Sequence, residues 1–388
     1  MRRGLQGHLV TRTTAPEPFQ AFFPAPLPPQ PGIRIDFRLQ DLLGRANRAL
    51  GRLDGITALL PEPSLFLYFY VRKEALLSSQ IEGTRSSMSD LLLFESQEVP
   101  GVPLDDVQEV SNYVAALNHG LDLLRTKLPV SLRLIREIHR VLLSRGRGSD
   151  KDPGEFRRTQ NRVGGIRPGN ALFVPPPPEE VSSCMGALEK FLHNEPESTP
   201  VLIKAALAHV QFETIHPFLD GNGRLGRLLV TFLLIAEGAI QEPLLYLSLF
   251  FKQNRQRYYD LLQQVRLEGD WEAWLEFFLE GVVDTAEKAT DTAKRILDRF
   301  TLDRGKIATL GRAAGSALRL HELLRRKPML AVPAAVKELG LSSPTVGSAF
   351  DHLAKLGVVR EVTGKRRDRL FAYSDYLGIL AEGGEPLS

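Results

Sequence analysis

Twelve residues between two helical stretches constrain this chain more than any other segment. They run from His216 to Arg227 as HPFLDGNGRLGR, and an apolar run from Leu228 to Ile235 follows. A glycine-rich turn that opens a buried helix directs several backbone N–H groups, and the positive end of the helix dipole, at one point. Arg224 and Arg227 lie on one face of that helix. The segment therefore predicts an anion-binding site.

The side chains of this segment suit phosphate chemistry. His216 suits a general base that takes a proton from a hydroxyl group. Asp220 offers the hard oxygen ligand with which proteins hold Mg²⁺ jointly with phosphate oxygens. Gly221 and Gly223 allow close approach of the backbone, and the two arginines would neutralise negative charge. A His-Pro loop with ordinary surface arginines is the weaker alternative, because so many apt residue types coincide.

Other interpretations of the glycines and histidines fail on context. Residues 221–226 match G-x-G-x-x-G, but a dinucleotide site needs a preceding strand, and residues 201–215 have a helical pattern. The phosphate loop G-x-x-x-x-G-K-[ST] is absent from the sequence. A zinc hydrolase is set aside because H-E-x-x-H is absent and His209 and His216 have no evident third ligand. His209 is interpreted as a core residue or a support for the site.

Helical periodicity dominates the chain up to about residue 307. Apolar residues recur at three- and four-residue steps. This pattern predicts helices over 39–59, 64–83, 107–124, 131–143, 181–194, 201–215, 271–283 and 284–307. The fold class is therefore mainly α. Residues 14–32 are rich in proline, so they are predicted to form an extended arm rather than a packed element.

The second of these helices ends with a carboxylate in an unusual place. Glu82 lies in its last turn, just before Gly83 at the usual C-cap position. The negative end of the helix dipole disfavours such a charge by about 0.3–1 kcal/mol. Either the side chain is solvated at the surface, which spacing alone favours, or a cation from elsewhere in the fold pairs with it.

An irregular region from 144 to 178 holds the only strand pattern before the C-terminal residues. Two short β-like pieces flank a Pro-Gly turn and predict a hairpin. Its candidate docking residues are Val163, Gly164, Leu172, Phe173 and Val174. An isolated hairpin is marginal in stability. It is therefore either a surface excursion or a flap that offers a strand edge to a bound segment.

Residues 316–377 have a different character. Helical stretches at 320–326 and 332–339 precede a third helix, with Ser343 as its predicted N-cap and Pro344 at its first position. Two alternating strands, 358–362 and 369–373, follow. Three helices and a hairpin in this order predict a winged helix-turn-helix.

The predicted wing is basic, whereas the predicted recognition helix is not. Lys365, Arg366, Arg367 and Arg369 could meet DNA phosphates. The helix from Ser343 to Lys355 is poor in side chains that read bases. A docking or dimerisation module is therefore as well supported as a DNA-binding one.

Composition sets broad limits. A length of 388 residues favours two or three domains, and 43% hydrophobic with 24% charged residues is typical of a soluble globular protein. A net charge of +3 argues neither for nor against nucleic acid. The single cysteine, Cys184, excludes an internal disulfide and suits a reducing cytoplasm. No signal peptide or membrane span is expected, so the expected location is cytoplasmic.

The segment from His216 to Arg227 resembles, without a gap, the signature HPFxDGNGRxGR of the Fic family of AMP-transferring enzymes. Residues 154–157 (GEFR), the predicted hairpin and the pair Tyr258-Tyr259 are also similar to Fic features, so the resemblance spans about 35–285. It implies a Fic-type helical core with a β-hairpin flap. The implied organisation is a proline-rich arm (1–34), an N-terminal helical segment (35–105), a Fic core (106–285), a helical connector (286–315) and a winged-helix domain (316–388).

The resemblance implies transfer of AMP from ATP to a Ser, Thr or Tyr hydroxyl of a target protein or of the chain itself. His216 would be the base, and Asp220 would hold Mg²⁺ against the phosphates. The implied nucleotide-binding residues are Gly221, Asn222, Gly223, Arg224, Leu225, Gly226, Arg227, Tyr258 and Tyr259. For either tyrosine alone, simple helix packing is an equal alternative. Gly223 stands where a kinase-like branch has lysine, which favours nucleotidyl transfer over phosphotransfer.

Residues Ser78 to Gly83, SSQIEG, match the pattern [ST]xxxE[GN] of the family's inhibitory helix. The resemblance thereby implies that Glu82 pairs with Arg227 and occupies the place of the γ-phosphate. Two other functions stay open. The same site could remove AMP from a modified target if Glu82 orients a water, or the chain could be a nucleotide-sensing transcriptional regulator. A homodimer and DNA are further candidate partners, and no membrane partner is expected.

Overall fold

The computed structural model describes residues 2–13, 18–59, 63–95, 104–364 and 369–382. It is mainly helical, as predicted. The helices are α1 Phe37–Leu59, α2 Pro63–Ile81, α3 Met88–Glu95, α4 Leu104–Arg125, α5 Leu132–Leu142, α6 Val181–Leu192, α7 Val201–Ile215, α8 Asn222–Ala236, α9 Leu247–Gln253, α10 Arg255–Glu268, α11 Trp271–Ala308, α12 Ala314–Arg326, α13 Val332–Leu339, α14 Ser343–Lys355 and α15 Ser374–Ala381. The strands are β1 Gly7–Arg12, β2 Phe19–Pro24, β3 Met329–Ala331, β4 Arg360–Glu361 and β5 Leu370–Ala372. None of the described helices combines the length and apolar character needed to cross a bilayer.

The centre of the molecule is the helix pair α7 and α8. Every residue of α7 from Leu202 to Ile215 is buried, because other helices surround it. Most of these residues are apolar, and the buried Lys204 pairs with Glu237. The long helix α11 closes one side of the core, and its Trp274 Nε1 donates to the carbonyl oxygen of Ala206 at 2.9 Å. The helices predicted over 271–283 and 284–307 are thus one continuous helix, so the predicted boundary at 285/286 falls inside it.

The prediction that the proline-rich segment forms no packed element is wrong for part of it. Strands β1 and β2 pair antiparallel, with Gly7 opposite Pro24 and Arg12 opposite Phe19. Ala21 is fully buried. The prolines stand at the ends of β2, so the residues between them keep their N–H donors and can pair.

The predicted flap hairpin is less regular than expected. Val163 and Phe173 form an isolated antiparallel bridge, and a 3₁₀ turn from Pro168 to Asn170 lies between them. Leu172 is 82% exposed, whereas Phe173 and Val174 are buried. The Phe22 amide of β2 donates to the Val174 carbonyl oxygen at 2.9 Å, so the N-terminal hairpin supports one edge of the flap.

The C-terminal residues fold as α12, α13 and α14 with a three-stranded sheet in the order β3-β5-β4. Strand β3 was not predicted because it has only three residues. The N-cap of α14 is Ser342, not Ser343: the Ser342 hydroxyl accepts from the amide of Thr345, and Pro344 stands in the first turn. The basic residues Lys365, Arg366 and Arg367 lie outside the described residues.

Helix α15 returns from this module to the core. Its Tyr376 packs edge-on against Phe69 of α2, with ring centroids 5.8 Å apart, and against Phe300 of α11 at 4.9 Å. Tyr373, just before α15, is buried and donates to Asp303 of α11 at 2.8 Å. His321 of α12 lies 3.2 Å from the same hydroxyl. A buried polar network therefore joins the C-terminal module to α11.

Substitution Tyr373→Phe should lower the free energy of unfolding by about 1–3 kcal/mol, because it removes a buried donor to Asp303 and the hydroxyl partner of the buried His321 ring. Asp303 keeps Arg299 and Lys306 as neighbours. Denaturant unfolding followed by circular dichroism measures this change. Tyr376→Phe is the matched control, since that ring is equally buried but its hydroxyl forms no hydrogen bond among the described residues. Equal losses in the two variants would show that the network adds no stability.

Candidate active site

The loop between α7 and α8 folds back on itself and brings the predicted residues together. His216 ends α7 in the left-handed region, at φ 50°, and Gly221 stands before α8 at φ 76°. The Asn222 side chain closes the turn: its Oδ1 accepts from the Phe218 amide at 2.9 Å, and its Nδ2 donates to the Phe218 carbonyl at 2.8 Å. Asp220 Oδ1 accepts from the Gly221 amide at 2.6 Å. Asn222 is therefore a structural residue of the loop.

His139 of α5, which was not predicted as a site residue, contacts this loop through a hydrogen bond and a stacked ring. Its Nδ1 accepts from the Gly154 amide at 2.8 Å, so its Nε2 carries the hydrogen and donates to the Asp220 carbonyl at 3.0 Å. Its ring stacks on Phe218 with centroids 3.7 Å apart. Burial lowers the pKa of His139 to about 4, which keeps the neutral form that this arrangement requires.

Arg157 holds the C-terminal end of α7. Its guanidinium donates to the His216 carbonyl at 2.9 Å and to those of Ile215, Thr159 and Pro176. A helix leaves its last carbonyl groups without donors, and Pro217 has no N–H to offer. A buried cation at this position satisfies these groups and interacts favourably with the negative end of the helix dipole.

His216 is held as a neutral base. Burial lowers the pKa of its imidazole to about 4, and the nearby cations Arg157 and Arg266 act in the same direction. The backbone of Glu213 and the charge of Glu82 oppose this shift only in part. At neutral pH the ring is therefore unprotonated and can accept a proton.

The two arginines of the motif have different partners. Arg224 Nη1 lies 3.0 Å from Glu109 Oε1 of α4, and its Nη2 lies 3.7 Å from Asp220 Oδ1. The Nε of Arg224 is buried without a hydrogen bond among the described residues, so this donor remains for an anion. Arg227 instead faces α2, where its Nε donates to Ser78 Oγ at 2.8 Å and its Nη2 to the Ser78 carbonyl at 2.9 Å.

Glu82 completes the contacts of Arg227. Its Oε1 lies 2.8 Å from Arg227 Nη2, so the pairing with a cation, and not the solvated alternative, is observed. Burial raises the pKa of Glu82, but the charge and hydrogen bond of Arg227 outweigh burial, and the pKa lies below its usual value. A Cβ at Gly223 would lie only 2.3 Å from Glu82 Oε1. The carboxylate therefore occupies space beside the amino end of α8 that a Cβ at this position would also need.

The predicted adenine-side tyrosines differ in exposure. Tyr258 is 1% exposed, and its hydroxyl lies 2.8 Å from Nε2 of His209, whose Nδ1 donates to the Gly226 carbonyl at 3.0 Å. This bond favours helix packing as the role of Tyr258, and it places His209 in the core, as expected. Tyr259 is 37% exposed. Burial and the negative charge of Glu82 raise the pKa of its hydroxyl, and the positive charge of Arg227 opposes this shift only in part.

The metal-binding potential of the site depends on Asp220. Among the described residues no group of three or more His, Cys, Asp or Glu side chains could hold a metal ion by itself. The Asp220 side chain is 31% exposed, so its second carboxylate oxygen can reach a ligand. One carboxylate suits Mg²⁺ only when substrate phosphates supply further ligands. The donor set therefore fits a shared Mg²⁺ site with a polyphosphate.

Comparison with known proteins supports one family. Residues 40–122 match the Fic/DOC family N-terminal model, and residues 129–234 match the Fic/DOC family model. These matches include the motif from Ser78 to Gly83 and the motif from His216 to Arg227. Both matches support a Fic/DOC protein, as the resemblance of its motifs indicated.

Curated relatives carry the name protein adenylyltransferase Fic. The one from Drosophila melanogaster is 34% identical over 215 residues, which are 54% of this chain and 39% of that protein. The one from Drosophila erecta is 31% identical over 261 residues, 66% of this chain and 48% of that protein. The chain thus spans less than half the length of these relatives.

Solved structures support the fold. A Fic family protein from Desulfovibrio desulfuricans G20 superposes with a TM-score of 0.60 at 21% identity, over 89% of this chain and 98% of that chain. A Fic-1 fragment from C. elegans gives a TM-score of 0.50 at 23% identity, over 67% of this chain and 73% of that chain. Likeness at this level of identity concerns the architecture alone.

The buried histidine of the core predicts a loss of stability in acid. Burial lowers the pKa of His209 to about 4, whereas an unfolded histidine titrates near 6.5, so between these values the unfolded chain binds a proton that the folded chain does not. Protonation of His209 in the unfolded chain should therefore lower the free energy of unfolding by about 2 kcal/mol when the pH falls from 7 to 5. Urea unfolding measures the free energy of unfolding at both pH values. In His209→Gln its decrease from pH 7 to pH 5 should be smaller than in the parent protein by this amount.

Substitution His8→Gln is the control, because His8 is exposed. In this variant the free energy of unfolding should change between pH 7 and pH 5 by the same amount as in the parent protein. An unchanged difference in His209→Gln would contradict the assignment of a neutral, buried His209.

Proposed function

We propose that this chain is a self-inhibited protein adenylyltransferase that moves AMP from ATP to a hydroxyl side chain of a target protein or of itself. The observation that carries the proposal is the ion pair, 2.8 Å apart, between Glu82 and Arg227 in the helix that follows the loop carrying His216. The names of the curated relatives support the same chemistry.

The proposed reaction is a displacement at the α-phosphorus of ATP. The hydroxyl oxygen of the target attacks the α-phosphorus of ATP while its proton passes to the imidazole of His216. The bond between the α-phosphorus and the bridging oxygen breaks, and pyrophosphate leaves. The amides of Gly221, Asn222 and Gly223 and the free Nε of Arg224 would stabilise the charge that develops on the phosphate oxygens.

Asp220 would hold Mg²⁺ together with phosphate oxygens of ATP. When bound, the ion would neutralise charge on the polyphosphate. The chain's own contribution is to fix the carboxylate: Asp220 Oδ1 is held by the Gly221 amide at 2.6 Å, and its carbonyl oxygen by His139 at 3.0 Å.

Glu82 would inhibit the reaction by competition for Arg227. The carboxylate lies against the amino end of α8, where a phosphate would gain most from the helix dipole and the arginine. The two anions cannot share that place, so ATP would bind productively only after α2 releases Glu82.

The flap would hold the target segment beside His216. Because β2 already bonds to Val174, the edge that remains for an added strand is the outer side of the segment around Val163, whose own N–H and C=O are bonded to Phe173. Gly164 and Leu172 lie at the exposed end of the same flap.

We also infer that the C-terminal module is a winged helix, since three helices precede the β4–β5 hairpin and β3 joins the same sheet. DNA binding by this module stays a prediction. Of the wing residues that motivate it, Lys365, Arg366 and Arg367 lie outside the described part of the chain, and Arg369 lies 3.2 Å from Asp351 of α14.

Self-labelling with α-labelled ATP and Mg²⁺ tests the proposed function. Substitution Glu82→Gly should raise the initial rate about tenfold or more, which corresponds to about 1.4 kcal/mol of competition at the anion site. Glu82→Gln, which keeps the size but removes the charge, should raise the rate less. His216→Ala in the Glu82→Gly background should lower the rate at least about a hundredfold, because the base is lost.

Two results would count against this assignment. Label incorporated at the same rate without His216 would contradict its role as base. Equal rates in the parent and in both Glu82 variants would contradict the inhibitory role of that carboxylate.

A further inference from the structure

The last turn of α7 depends on a second arginine besides Arg157. Arg266 of α10 donates from Nη2 to the Glu213 carbonyl at 3.2 Å and from Nε to Thr214 Oγ1 at 3.0 Å. The Thr214 hydroxyl in turn donates to the Val210 carbonyl at 2.7 Å, so its bonding is complete. Arg157 holds two further carbonyl groups, those of Ile215 and His216. Two cations together thus fix the end of the helix that carries the base.

Arg266 also contacts the flap. Its guanidinium carbon lies 4.0 Å from the ring centroid of Phe173, in cation–π contact, and the residue is only 7% exposed. Phe173 is the residue of the flap that bridges to Val163. One side chain therefore touches both the last turn of α7 and the element proposed to hold the target.

The planar fork of arginine suits these two tasks. It donates in two directions to α7 while its face remains available to the aromatic ring, and lysine can do only one of these at a time. Its Nη1 also lies 3.3 Å from Gln263 Oε1 on the same helix, which orients the guanidinium. Arg266 lies beyond residues 129–234, the part that matches the Fic/DOC family model.

We propose that Arg266 is a positioning residue for the transfer reaction: it fixes the last turn of α7, and with it the left-handed backbone of His216, relative to the flap. This inference rests on the function proposed above. A shift of the turn by about 1 Å would move the imidazole away from the attacking hydroxyl, and a displacement of that size can cost about a hundredfold in rate.

The test uses the full chain with Glu82→Gly, so that self-inhibition does not limit the rate. In this background Arg266→Lys is compared with Arg257→Lys, its matched control. Arg257 is on the same helix and also forms a cation–π contact, 5.0 Å from the Phe277 ring, but its side chain is 53% exposed and lies 3.4 Å from Glu280. Self-labelling at saturating ATP, the dissociation constant of ATP and the melting temperature are measured for each.

Arg266→Lys should lower the rate at saturating ATP about tenfold or more, while the dissociation constant of ATP stays within about twofold. Arg257→Lys should change neither. Thr214→Val, which removes one of the two acceptors on α7, should slow labelling in the same way. Both substitutions remove the same contact, the hydrogen bond between Arg266 and Thr214. The double variant should therefore be little slower than Arg266→Lys alone.

Hydrogen exchange provides a readout that does not depend on activity. Amides of residues 213–216 should exchange about tenfold faster in Arg266→Lys than in Arg257→Lys. If the Glu82→Gly parent failed to incorporate label, the proposed function would fall, and exchange would still decide whether Arg266 fixes this turn. Parent-like labelling in Arg266→Lys would overturn the inference. A rate loss matched by weaker ATP binding and a lower melting temperature would also overturn it, since that pattern shows a merely structural role.

Discussion

The guanidinium of Arg227 is buried at 3% exposure, and a buried cation must be paired. In this structure its partners are the hydroxyl and carbonyl of Ser78 in α2 and the carboxylate of Glu82, which directly follows that helix. The position of α2 against the amino end of α8 therefore depends on satisfying this one charge. Any ligand that displaces Glu82 must itself bring negative charge to the same place, and a triphosphate does so.

The end of α7 poses the complementary problem. The helix stops at His216 and turns into a loop whose next residue, Pro217, has no N–H, so its last carbonyl groups need donors from elsewhere. Arg157 and Arg266 supply them from two different segments. Their charges also favour a neutral imidazole at His216. The two cations that satisfy the helix end thus add to the effect of burial, which is the main cause of the neutral imidazole.

Local sequence patterns predicted the features that depend on local chemistry. The mainly helical fold followed from apolar spacing, and the motif from His216 to Arg227 predicted the glycine-rich turn that opens α8. Anion binding at this turn stays a prediction. The strand pair β1–β2 was missed because nearby prolines masked a short alternating pattern. His139, Arg157 and Glu109 were not predicted as parts of the site, because their roles arise from contacts between distant segments. A lone histidine on the buried face of α5 was the only local signal for His139.

Gly223 meets two demands at once. It allows phosphate to approach the amides of α8, as proposed, and it leaves the space that the Glu82 carboxylate fills. A Cβ there would force the Glu82 carboxylate to shift and would also contact the end of the Arg227 side chain. A change at this glycine therefore affects inhibition and the proposed phosphate site together. A constitutively active variant would instead arise through changes in the last turns of α2 and at Glu82. Such changes would remove the inhibitory contact and leave the loop and α8 unchanged.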